Sequence, residues 1–128
     1  MPCPCGSGPD YETCCEPFHR ESDIPPSAEK LMRSRYSAFV KGETGYLFDT
    51  TWPARRKNLT PDSYNDRAEN SIWLGLTIHS TENGSESDAQ GTVTFTASAM
   101  VNGEVVDQNE KSLFKKKQGR WYYVKAIE

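Results

Sequence analysis

The stretch AEKLMRSRYSAFVK, Ala28 to Lys41, decides how the chain is read. At about 100° per residue, Ala28, Leu31, Met32, Tyr36, Ala38 and Phe39 fall on one face and Lys30, Ser34, Ser37 and Lys41 on the other, which predicts a core-facing helix. Its ends are marked. Pro25-Pro26-Ser27 supplies an N-cap, Glu29 suits the positive end of the helix dipole, and Gly42 can take the left-handed position that closes the helix. Arg35 breaks the pattern, because it projects between Met32 and Phe39 on the apolar face. An unpaired guanidinium there would be costly, so it must reach water or meet a carboxylate in the interior, and either outcome implies a pocket.

Outward from this helix the chain changes period. Gly45 to Trp52 reads as a short helix stopped by Pro53, and Asp62 to Glu69 as a third, introduced by Thr60-Pro61. From Ser71 the period is two. Ile72, Leu74, Leu76 and Ile78 are expected on one face of a first strand, and Val93, Phe95, Ala97, Ala99 and Val101 on one face of a second. Between them Glu82 to Gln90 reads as a mobile loop. Asn102-Gly103 and Gln118-Gly119 turn into two further strands. Helices first and a four-stranded meander afterwards give an α+β domain, with a curved antiparallel sheet wrapped over the helix at Ala28 to Lys41. In the third strand Val106, Gln108, Glu110, Ser112 and Phe114 share a face, which makes Glu110 the expected partner of Arg35 in a pocket walled by Trp52, Trp73 and Phe114.

The 128 residues correspond to about one domain, and 35% hydrophobic residues suffice for a small core. A net charge of -3 and a pI near 5.4 argue against a dedicated nucleic-acid binder. No apolar run approaches the roughly 18 residues needed to span a bilayer, and MPCPCGSG lacks the apolar region of a signal peptide, so the expected compartment is the cytoplasm.

All four cysteines, Cys3, Cys5, Cys14 and Cys15, lie in the first 15 residues. Residues 1–20 hold too few apolar side chains for a core of their own. Four thiolates around Zn²⁺ at about 2.3 Å would order them. The alternative is a pair of disulfides, but a Cys14–Cys15 bridge closes a strained ring and a reducing cytoplasm would open it. His19 is a substitute ligand or, with four sulfurs already completing a tetrahedron, a surface histidine. Residues 21–27, ESDIPPS, read as a linker that leaves the knuckle free to move relative to residues 28–128.

CPCGSGPDYETCC resembles the SEC-C motif at the C-terminus of the SecA translocation ATPase, with Cys-Cys where copies in that protein end in Cys-His. LMRSRYSAFVKGETGYLFDTTWPARR and NEKSLFKKKQGRWYY resemble the YchJ-like family of small bacterial proteins, so the likeness covers most of the chain. It implies a zinc-binding knuckle followed by a cone-shaped domain of the nuclear-transport-factor-2-like fold, and no particular reaction. It departs at Asn109, where the family pattern carries a histidine ahead of the glutamate.

Three functional classes follow. The first is an adaptor whose knuckle docks on a partner protein, associated with secretion or translation by resemblance, and whose cone binds a peptide or small ligand. The second is an isomerase- or dehydratase-type enzyme using Arg35 to hold an anion and Glu110 as acid or base. The third is nucleic-acid binding through Arg55 to Lys57 and Lys115 to Lys117 near Trp121, Tyr122 and Tyr123, but aromatics alternating along a strand are usually core.

Overall fold

Ser27 is extended, at φ -145° and ψ 163°, and its side chain accepts from the Lys30 N–H, so helix α2 begins at Ala28. Gly42 takes φ 74°, and its N–H caps the Ala38 carbonyl, so the helix stops at Lys41 as the sequence predicts. The computed structural model describes residues 2–128. A short helix α1, Glu16–His19, precedes α2; α3, Thr44–Asp49, follows it, and α4, Asn65–Glu69, comes after two 3₁₀ turns at Pro53–Arg55 and Pro61–Tyr64. The helix expected over Asp62 to Glu69 is therefore split. Pro61 opens a tight turn, and α-helical hydrogen bonding starts only at Asn65.

Four antiparallel strands, β1 (Ile72–Asn83), β2 (Gln90–Val101), β3 (Glu104–Lys117) and β4 (Arg120–Ala126), form one curved sheet in the order β1-β2-β3-β4, giving the expected α+β architecture. Turn residues Asn102 and Gln118 have positive φ of 53° and 52°, each followed by a glycine, which matches the strands' twist. The inner face carries Val93, Phe95, Ala97 and Phe114, buried in one core with Leu31, Met32 and Tyr36 of α2. At the far edge, Thr50 and Trp52 hydrogen-bond to the backbone of Tyr123, so the chain leaving α3 extends the sheet beside β4.

β1 departs from strict alternation. Trp73 pairs with Ala99 but Gly75 pairs with Ser98, which leaves Leu74 as an extra residue. That bulge changes the phase of the strand. Trp73 turns inward together with Leu76 and Ile78, while Ile72 and Leu74 are 64% and 50% exposed instead of lying on the buried face.

The loop expected to be mobile is short and tied down. The Gly84 carbonyl accepts from the Ala28 N–H at 2.9 Å, Asp88 accepts from the backbone and hydroxyl of Ser85, and the Ala89 carbonyl accepts from the Lys116 N–H. At φ 84° Gly84 lies so near α2 that a Cβ there would stand 2.8 Å from that of Ala28.

The segment joining knuckle to helix is also packed. Pro25 is buried, and the Pro26 carbonyl accepts from the Trp121 indole N–H at 3.3 Å. The knuckle rests on α2 by the side opposite the sheet, the side that the helical pattern assigns to solvent. Ser34 and Ser37 are fully buried there.

Candidate functional site

Cys3, Cys5, Cys14 and Cys15 converge because positive φ at Gly6 (79°) and Gly8 (116°) folds the chain back, and Pro2 bridges Asp10. All four Sγ atoms lie within 4.8 Å of one another. Cys5 and Cys14 are 3.6 Å apart and Cys14 and Cys15 are 3.8 Å apart, far beyond a disulfide bond, and the cysteines are free. A tetrahedron with metal–sulfur bonds of about 2.3 Å has edges near 3.8 Å, so the donor set fits a metal ion. The Cys15 thiol donates to Cys5, which pulls the Cys5 sulfur down to about 4 and pushes Cys15 up; both changes describe one proton shared between them. Burial pushes Cys14 up as well, so of these three sulfurs Cys5 is the one held toward the thiolate, the form that binds metal. Ser7 stands 3.1 Å from Cys14 and 3.3 Å from Cys5, beside the sulfurs.

His19 is not the surface histidine or substitute ligand that the sequence suggests. It is 8% exposed, between knuckle and helix. Its Nε2 is 2.8 Å from the Ser34 carbonyl and must donate, so Nδ1, 2.7 Å from the Tyr11 hydroxyl, accepts. Burial lowers its pKa from 6.5, in keeping with this neutral tautomer. Around it, Arg33 donates to the Cys5 carbonyl at 2.7 Å, Cys3 Sγ lies 3.2 Å from Ser37 Oγ, and Lys41 Nζ stands 4.5 Å above the Tyr11 ring. A sequence signal was present: two serines three apart on a helix face offer the small side chains that close packing needs.

Beneath the other side of α2 lies a cavity of about 630 Å³. Arg35, Trp73 and Glu110 line it, together with Tyr36, Phe39, Tyr64 and Tyr123. Phe114 and Trp52 do not. Phe114 is fully buried behind the wall, its ring 5.7 Å from that of Tyr123. Trp52 follows α3 to the edge of the sheet, where its ring meets Tyr122 and lies 5.9 Å from both Lys115 and Lys117.

Arg35 and Glu110 share the cavity without an ion pair between them. Arg35 Nη1 donates to the Leu47 carbonyl at 2.8 Å and to Thr50 Oγ1 at 2.6 Å, and its guanidinium lies 4.8 Å above the Tyr123 ring. Glu110 accepts from Gln108, Ser112 and, at 3.3 Å, the Tyr123 hydroxyl. Tyr123 therefore stands between the two charges, giving one its ring face and the other its hydroxyl. Asn109, at the family's histidine position, is exposed on the opposite face and accepts from Thr96, so that departure does not touch the cavity.

These two features can be set beside known proteins. A family model described as "YchJ, middle NTF2-like domain" matches residues 27–126. The chain belongs to the YchJ-like family. A protein labelled UPF0225 from Actinobacillus succinogenes is 43% identical over 122 residues, covering 95% of this chain and 79% of its own, and one from Corynebacterium efficiens is 46% identical, covering 94% and 88%. Among solved structures, a SEC-C motif containing protein from Rhodopseudomonas palustris superposes with a TM-score of 0.90 at 35% identity, covering 98% of this chain and 97% of that one. Another from Psychrobacter arcticus gives 0.83 at 28%, covering 95% and 79%. Both solved structures are of proteins named for a SEC-C motif, and each matches nearly the whole of this chain. No helix among the described residues is long and apolar enough to cross a membrane.

Proposed function

We propose that this YchJ-like protein is a zinc-binding accessory protein whose knuckle docks on a partner protein and whose cone-shaped domain binds a peptide or small ligand. The observation that carries the reading is the convergence of four sulfurs within 4.8 Å on a segment with no core of its own. Four sulfurs in a tetrahedral arrangement suit Zn²⁺, which supplies folding free energy and needs no redox partner. The knuckle uses one side to rest on α2, and Glu12 and Thr13 remain exposed for a partner. The enzymatic alternative draws support from Arg35 and Glu110 lining one cavity, but Glu110 already accepts from three protein donors, which suits a wall group better than a proton carrier.

Metal analysis of the purified full chain should give one zinc per molecule bound by Cys3, Cys5, Cys14 and Cys15. A metal-free protein with two disulfides would sink the reading. For the partner, capture with the intact protein is compared with a Glu12→Arg, Thr13→Glu variant that still binds metal. Partners that survive the change do not dock through this side of the knuckle.

A further inference from the structure

The cavity's charge contradicts that of the chain. The protein carries 18 acidic against 15 basic residues, yet the cavity is lined by Arg35, Arg55, Lys57 and Arg67 against Glu110 alone. Glu110 is already hydrogen-bonded by Gln108, Ser112 and Tyr123. Arg35 is 6% exposed and has no carboxylate partner among the described residues; its protein partners are the Leu47 carbonyl, the Thr50 and Tyr64 hydroxyls and the Tyr123 ring face, all of them uncharged. Burial lowers its pKa, but an arginine so placed remains cationic at neutral pH. Arg55 and Lys57 are exposed and, among the described residues, unpaired.

The walls between are aromatic, with the exposed Arg67 guanidinium at their rim, 5.2 Å from the centre of the Phe39 ring and 5.8 Å from that of Trp73. Phe39 lies 5.5 Å from Trp73 and 6.3 Å from Tyr64, and Tyr36 meets Trp73 edge-on at 5.6 Å. The Trp73 indole N–H is buried and has no hydrogen-bond partner among the described residues. Each buried group of this kind is costly until something satisfies it.

We infer that the cavity selects a small organic anion, a monocarboxylate on a flat aromatic body, with its carboxylate toward Arg35 and its ring among Phe39, Tyr64 and Trp73. This rests on reading the cavity as a ligand site. The volume lies within the about 300–1,000 Å³ typical of small-molecule sites. One buried cation balances one negative charge, and a carboxylate matches the planar guanidinium. A phosphate dianion would bring more charge, and a larger desolvation cost, than Arg35 alone offsets at depth. The exposed Arg55 and Lys57 draw the anion in from solvent, an effect that salt screens.

The test titrates isotope-labelled full chain with cinnamate and, separately, with cinnamamide, its neutral isostere, following the amide resonances of cavity residues; inorganic phosphate is a third arm. Both organic probes should shift those resonances, with the acid at least about 10-fold tighter, as a charge-assisted hydrogen bond implies. Arg35→Met should remove that preference while leaving the amide's affinity in place. If Arg35→Met does not fold, the exposed Arg55→Glu, Lys57→Glu pair should still weaken the acid several-fold and spare the amide. Equal affinity for acid and amide, or phosphate binding more tightly than cinnamate, overturns the inference and leaves the cavity standing as a ligand site. No shift from either organic probe overturns both.

Discussion

Toward the sheet, α2 presents Leu31, Met32 and Tyr36 to a core of Val93, Phe95 and Ala97, and beside them that interface leaves open a cavity of about 630 Å³. Toward the knuckle it presents Ser34 and Ser37, fully buried, with the Ser34 carbonyl accepting from His19 and the Cys5 carbonyl accepting from Arg33. The first interface gains its stability from area summed over many side chains, so it can contain a hole. The second depends on a few directional bonds between small groups, so losing one partner strands the other. The same helix thus tolerates empty space on one side and requires close fit on the other.

The largest test of this difference is to remove the metal ligand set. Cys5→Ser, or chelation, should abolish the order of the knuckle, because binding free energies on the order of 10 kcal/mol fold such modules. Amide spectra should lose dispersion for residues before about Pro25 while β1 to β4 keep theirs. Melting of the sheet as well would mean that the two interfaces are one cooperative unit.

Next in size is His19→Ala, which strands the Tyr11 hydroxyl, removes a second donor from the Ser34 carbonyl and empties the buried space of the ring, and should cost about 2 to 4 kcal/mol in denaturant unfolding. The same residue gives the polar interface a pH dependence. Because the folded pKa is lowered, the unfolded chain binds more protons as the pH falls past 6.5, so stability is full above that value and declines below it. His19→Gln should abolish this part of the profile, and an unchanged profile would place the titrating group elsewhere.

On the cavity side the expected effects are smaller. Arg35→Met loses the hydrogen bonds to Leu47, Thr50 and Tyr64 and the Tyr123 ring contact, yet relieves a buried charge, and the Leu47 carbonyl keeps the Thr51 hydroxyl as a donor at 2.8 Å. About 1 to 3 kcal/mol follows, less than the 3 to 5 for breaking a buried ion pair. A double-mutant cycle with Glu110→Gln should show coupling below about 1 kcal/mol, since Tyr123 separates the two. Coupling of several kcal/mol would restore the direct pair. Smallest of all, Lys41→Ala should cost about 0.5 to 1 kcal/mol through its contact with the Tyr11 ring.

Periodicity and punctuation made much of this legible in the sequence. The limits of α2 follow from Ser27 and Gly42, the strands from alternation and the Asn102-Gly103 turn, and the sulfur cluster from the crowding of four cysteines. What escaped depends on partners that no single segment reveals. A helical wheel assigns Ser34 and Ser37 to water because they are polar, yet a serine is small enough to be buried wherever a neighbouring chain supplies its hydrogen bond. His19 was misplaced for the same reason. In β1 one bulged residue, Leu74, reverses the faces before and after it, and alternation counted through it exposes the wrong side of Trp73. Elimination pairs Arg35 with Glu110 directly, whereas Tyr123 stands between them, its ring under the guanidinium and its hydroxyl on the carboxylate.

Eight of the fourteen residues of α2 are buried, and they include both its sheet side and its knuckle side. The middle turns of this helix therefore have no free flank along which to open. To expose the amides of Ser34 to Ala38 the chain must lift off the knuckle and uncover the core together, so in deuterated water these hydrogens should be among the last to exchange, and the free energy they report is that of unfolding the whole molecule.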